Sequence, residues 1–125
     1  MRHLLLILAL FALAGCSPTT PSAPPQSAGK SAFKLEKLRV LDVRSDEEWA
    51  EGHLAGVQHL PLDLIRERIT SLVPDKQTPL GVYCASGARS SHAARLLKQL
   101  GYENVEDLGG YNEAQRKLAN AGGTP

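Results

Sequence analysis

The chain has 125 residues, with 14 Lys and Arg against 13 Asp and Glu and a formal net charge of +1. That balance removes the electrostatic footprint of a nucleic-acid binder, and two cysteines are too few for a disulfide-dense secreted scaffold. The length allows one modest core and no second folded domain.

The N-terminus reads as a targeting segment. Met1-Arg2-His3 supplies a positive start, and residues 4–14 form an apolar run far short of the roughly 20 residues a spanning helix needs. Leu13-Ala14-Gly15-Cys16 then resembles a bacterial lipobox, which implies a signal peptide over residues 1–15 and lipidation of Cys16. Ser17 after that cysteine resembles the pattern of lipoproteins sent to the outer membrane of Gram-negative bacteria. The expectation is a lipid-anchored protein facing the periplasm, since several acyl chains on one residue anchor stably without a transmembrane helix. Residues 16–32 are rich in Pro, Ser, Thr and Ala and too poor in apolar bulk to fold, so they read as a tether carrying a domain over residues 33–125. Once Arg2 is lost with the signal, basic and acidic residues are equal in number. Lipidation of Cys16 leaves Cys84 as the sole free thiol in an oxidising compartment.

From residue 38 onward, strand-like runs alternate with helical patterns. The runs at 39–43, 57–60, 80–84 and 104–108 predict an α/β fold, a small mainly parallel sheet of four to five strands with helices on both faces. Ser45-Asp46-Glu47-Glu48 is a capping box that opens a short helix ended by Gly52. Leu62, Ile65, Ile69 and Leu72 recur at helical spacing after Pro61. Ala93, Ala94, Leu96, Leu97 and Leu100 predict the buried face of a helix over 90–100, closed by Gly101. A last helix is expected over 111–120.

Tyr83-Cys84-Ala85-Ser86-Gly87-Ala88-Arg89-Ser90 carries the chemistry. An apolar strand runs into small residues, an arginine and a helix, so the loop turns sharply with its N–H groups inward, as an anion cradle does. A thiolate held there, beside a helix N-terminus and a guanidinium, has a lowered pKa and is a nucleophile at neutral pH. Four residues separate Cys84 from Arg89, where cysteine phosphatases have five. The smaller ring of amides suits a single sulfur atom better than a tetrahedral phosphate.

Together with Leu41-Asp42-Val43-Arg44, the acidic-aromatic stretch ending in Trp49, Gly52-His53-Leu54-Ala55-Gly56 and Leu60-Pro61, this loop resembles the rhodanese family of sulfurtransferases. The resemblance runs from about residue 39 to 118 and is similar to the family's minimal single-domain periplasmic type. Many members have a further strand and helix before the Asp-x-Arg strand; residues 30–38 leave room for a reduced version only. The resemblance implies a rhodanese fold and sulfur transfer through a persulfide on Cys84, from thiosulfate or a similar small-molecule donor to cyanide or a thiol acceptor. It implies no cofactor and no nucleic acid. A non-turnover persulfide carrier or an envelope interaction module is the alternative. An arsenate reductase or phosphatase is disfavoured by the loop length and by the lack of a resolving cysteine.

The site expected from this reading takes Cys84 as nucleophile and Ala85, Ser86, Gly87, Ala88, Arg89 and Arg44 as binding residues for the donor. Asp42 supports the loop by accepting hydrogen bonds from it. Arg89 either binds the donor anion or pairs with Asp42, and Arg44 is either an anion ligand or a strut. His53 is expected to make a structural hydrogen bond, His92 to be solvated and Trp49 to sit in the core; Ser90 fills a turn or N-cap position. His53 and His59 lack a metal-ligand spacing, so no metal is expected.

Overall fold

The computed structural model describes residues 37–121. The signal segment, Cys16, the tether and most of the stretch before the first strand lie outside the described residues. Four strands, β1 (Arg39–Asp42), β2 (Gln58–His59), β3 (Leu80–Cys84) and β4 (Val105–Gly110), form one parallel sheet in the order β2-β1-β3-β4. Four helices, α1 (Asp46–Glu51), α2 (Ile65–Leu72), α3 (Ala88–Gln99) and α4 (Tyr111–Asn120), connect or follow them, and a 3₁₀ turn at Leu62–Leu64 leads into α2.

Side chains alternate across the sheet and bury both faces. Leu41, Val43, Val82 and Cys84 point to one side, against Ile65 and Ile69 of α2 and Ala93 and Leu97 of α3. Val40, Tyr83 and Leu108 point to the other, against Ala114 of α4 and Leu54. All five residues of β3 are buried, as expected of a central strand covered on both sides. The four strands and two covered faces are those expected from the alternation of runs.

Boundaries differ from expectation for local reasons. Strand β2 is only two residues long, although Leu60 still donates its N–H to the Asp42 carbonyl; Pro61 has no N–H to extend the ladder. Strand β4 continues to Gly110 because a bulge at Leu108 shifts the register: Val82 faces Asp107, but Tyr83 faces Gly109. Gly109, with φ 83°, takes the left-handed conformation that the bulge needs. Helix α3 starts two residues earlier than expected, directly after Gly87 at φ 103°. These last two shifts bring the ends of β3 and β4 and the starts of α3 and α4 into one place, at the carboxyl edge of the sheet.

Candidate active site

Cys84 is the last residue of β3, fully buried, with the loop folded over its sulfur. Gly87 donates its N–H to the sulfur at 3.0 Å. Burial pushes the Cys84 thiol up, but the backbone N–H groups of Ser90, Gly87 and Ser86 outweigh it and bring the thiol below its ordinary value. The Ser90 hydroxyl adds to this, while also donating to the Gly87 carbonyl at 2.9 Å. The Gly87 amide therefore meets the sulfur directly, and the Ser90 and Ser86 amides favour its anionic form.

Ser90, expected only to fill a turn or cap position, is thus part of the cradle, and it is fully buried. The signal for it was helical phase: Ser90 lies three residues before Ala93 and seven before Leu97, on the buried face of α3. Ser86 contributes its backbone N–H, while its side chain stands at the exposed rim with Ala85 and Ala88. The backbone N–H groups that favour the Cys84 thiolate are those of Ser90, Gly87 and Ser86.

The loop is held from behind by the start of α4. Tyr111 donates its N–H to the Ala85 carbonyl at 3.2 Å, and Ser86 bridges to Gly110. A Cβ on Gly110 would meet the Ala85 carbonyl oxygen at 2.9 Å and Ser86 backbone atoms at 3.3 Å. The Gly110 backbone, at φ −76°, is ordinary, so an alanine there strains only the active loop. Gly110→Ala is expected to cost about 1–3 kcal/mol of stability from overpacking and to lower turnover by roughly tenfold or more, since small misplacements of reacting groups are expensive. Thermal denaturation and Cys84 alkylation rates check this; unchanged turnover would show that the loop tolerates the shift.

Asp42 and Arg44 form a buried unit beneath the loop. The Arg44 guanidinium donates to Asp42 from Nε at 3.0 Å and Nη2 at 2.7 Å, and its backbone N–H donates to the same carboxylate at 3.0 Å. Tyr83 Oη donates to Asp42 at 2.6 Å, and Arg44 Nη2 also reaches the Gly52 carbonyl at 2.7 Å. One expectation is corrected here and one alternative is decided. Asp42 accepts from Arg44 and Tyr83, not from the active loop, and Arg44 is a strut whose Nε and Nη2 donate to Asp42 and the Gly52 carbonyl. Burial and the Asp42 carboxylate push the Tyr83 phenol well above its ordinary value, so it stays neutral and donating. Arg44 also lies over the Tyr111 ring, 5.0 Å from its centroid.

Arg89 does not pair with Asp42. Its two terminal nitrogens donate to Glu48, Nη1 to Oε2 at 2.5 Å and Nη2 to Oε1 at 2.7 Å. Glu48 is also the third residue of α1 and closes its capping box: Ser45 donates its N–H to Oε2 at 3.0 Å, and the Ser45 hydroxyl receives the Glu48 N–H. The Arg89 hydrogen bond, with the Ser45 N–H behind it, brings the Glu48 carboxyl down to about 2. Glu48 was legible as a helix cap, but nothing in its spacing pointed to Arg89, 41 residues away.

Trp49 is half-buried and stacked on two imidazoles, not packed in the core. Its ring lies 3.5 Å from the His53 centroid and 4.7 Å from that of His59. His53 Nδ1 faces the Trp49 carbonyl at 3.1 Å and His59 Nε2 the Arg44 carbonyl at 3.0 Å. His53 thus stands at the end of α1, away from the thiol network, and His92 lies on the exposed face of α3. Among the described residues no group of three His, Cys, Asp or Glu side chains is placed to hold a metal.

The arrangement is a buried thiol in a ring of amides, two paired arginines and no second thiol among the described residues. Residues 27–117 match the family described as the rhodanese-like domain. The chain is 38% identical over 73 residues to the thiosulfate sulfurtransferase PspE of Escherichia coli, covering 58% of this chain and 70% of that protein. It is 39% identical over 70 residues to the putative sulfur carrier protein YrkF of Bacillus subtilis, covering 56% of this chain but only 37% of that protein. A solved rhodanese with anions from E. coli superposes with a TM-score of 0.58 at 37% identity, over 60% of this chain and 88% of that one. Fold, loop and relatives agree: the chain belongs to the rhodanese-like family and is a sulfurtransferase of that family.

Proposed function

We propose that the protein is a thiosulfate sulfurtransferase that carries sulfur on Cys84. The thiolate attacks the sulfane sulfur of thiosulfate; the S–S bond breaks and its electron pair leaves on sulfite. The terminal sulfur of the resulting persulfide is anionic and is received by the loop amides. Cyanide or a thiolate then attacks that sulfur, and the bonding pair returns to Cys84. The observation that carries this reading is the fully buried Cys84 sulfur under its loop, which accepts the Gly87 N–H at 3.0 Å; the backbone N–H groups of Ser90, Gly87 and Ser86 hold its thiol below the ordinary value. Preorganised donors of this kind stabilise charge at both steps. Steady-state turnover of thiosulfate and cyanide with parallel-line, ping-pong kinetics is expected. Persulfide formation without turnover would favour a carrier, the reading that similarity to a putative sulfur carrier supports. Phosphatase activity comparable with sulfur transfer would overturn the assignment.

The proposal extends to location. Leu13-Ala14-Gly15-Cys16 and the Pro-rich stretch after it support a lipid-anchored domain facing the periplasm, held off the outer membrane by residues 16–32. No helix among the described residues is long and apolar enough to cross a membrane. The full chain is expected in the membrane fraction with acyl mass on Cys16, and Cys16→Ser is expected to leave an uncleaved precursor. Recovery of the wild-type chain as a soluble periplasmic species without acyl mass would refute the anchor and leave the chemistry untouched.

A further inference from the structure

Both arginines at the site are matched by a carboxylate: Arg44 by Asp42 beneath the loop, Arg89 by Glu48 beside it. The two pairs differ in access. Asp42 and Arg44 are buried, whereas the Arg89 side chain is 36% exposed and Glu48 29% exposed, so this pair borders solvent. Arg89 also lies within Coulombic range of the Cys84 thiolate. The bidentate pair uses one N–H from each terminal nitrogen. Nε–H and the remaining N–H groups are left to meet an anion. An anion approaching Arg89 therefore meets a guanidinium whose charge is largely offset by Glu48.

We propose that Glu48 is a positioning and specificity-determining residue: it fixes Arg89 at the mouth of the cradle and sets how strongly the site prefers anionic over neutral reactants. This rests on Cys84 being the reactive thiol, as in the function proposed above. The geometry explains why a carboxylate is fixed here. The Ser45 N–H holds Glu48 Oε2 from the helix side at 3.0 Å, while both carboxylate oxygens accept from Arg89. A doubly charged donor such as thiosulfate gains less at the paired arginine than at a bare one, while product sulfite leaves more readily.

The test is the ratio of Cys84 alkylation rates with iodoacetate and iodoacetamide, which differ in charge, read on the full chain by the peptide mass of the Cys84 adduct. A change in thiol pKa moves both rates together and cancels. Glu48→Gln retains a side-chain acceptor for the helix cap and removes the charge. It is expected to raise the iodoacetate preference about threefold or more and to lower KM for thiosulfate by a similar factor. Glu48→Asp retains the charge and should stay within about twofold of wild type. The wild-type ratio, needing no variant, is expected to change little with added salt, whereas that of Glu48→Gln falls as salt screens the uncovered arginine. An unchanged or lower ratio in Glu48→Gln, or a wild-type ratio as salt-sensitive as the variant's, would overturn the proposal. Failure of Cys84 to alkylate at all would instead overturn the sulfurtransferase reading on which it rests. A shifted ratio without thiosulfate turnover would sustain the role of Glu48 and remove thiosulfate as donor.

Discussion

Cys84→Ser is expected to abolish sulfur transfer, by about a thousandfold or more, while the domain stays folded. A hydroxyl has almost no anionic fraction at neutral pH and forms no persulfide, so both half-reactions are lost. The serine hydroxyl is small enough for the same amide ring and can accept the Gly87 N–H that the sulfur now takes at 3.0 Å. In the wild type, alkylation of Cys84 should rise with pH around a midpoint below the ordinary thiol value, because the loop amides favour the thiolate over the cost of burying it. A midpoint at or above the ordinary value would show that burial wins. Circular dichroism separates loss of chemistry from loss of fold, and residual turnover in the serine variant would place the nucleophile elsewhere.

The largest stability effect is expected at Asp42. Asp42→Ala leaves the buried Arg44 guanidinium without its counter-ion and the Tyr83 hydroxyl without its acceptor. Removing one partner of a buried pair costs about 3–5 kcal/mol, because the other charge remains desolvated. For a domain of this size that is a fall in Tm of roughly 12 °C or more. Asp42→Ala combined with Arg44→Met should cost clearly less than the sum of the single changes, since no uncompensated charge remains. Asp42→Ala with Arg89→Ala should be additive within about 0.5 kcal/mol, because the two side chains share no partner. Urea denaturation of the wild type, the three single variants and the two doubles decides it. Additivity in the first pair would show that Asp42 and Arg44 act separately, and coupling in the second would show that Asp42 supports the loop through Arg89.

The parts of this structure legible in the sequence are those set by local chemistry. Ser45 and Glu48 mark the start of α1 because a capping box is a four-residue interaction, and both of its hydrogen bonds are present. The five buried residues of β3 follow from an unbroken apolar run, and the amide cradle from a strand, small residues and a helix in immediate succession. What was hidden depends on how distant segments pack. Asp42 and Arg44 are two residues apart and bracket a strand end, yet whether the arginine folds back or points to the loop is decided by Tyr83 and the Gly52 carbonyl. Arg89 meets Glu48 because α1 lies beside the loop, a placement no periodicity carries. Trp49 satisfies an aromatic pattern equally well in a core or stacked on two imidazoles, one from just after α1 and one from β2. The bulge at Leu108 is visible only as a shift of register against β3.

The central claim is that a single sulfur atom is transferred to Cys84 and held there. Intact-mass analysis of the protein after incubation with thiosulfate, without acceptor, measures it directly. The account predicts one added sulfur atom per chain, mapped to the peptide containing Cys84, lost on addition of cyanide and absent in Cys84→Ser. No mass increase, or one retained in the serine variant, would contradict it.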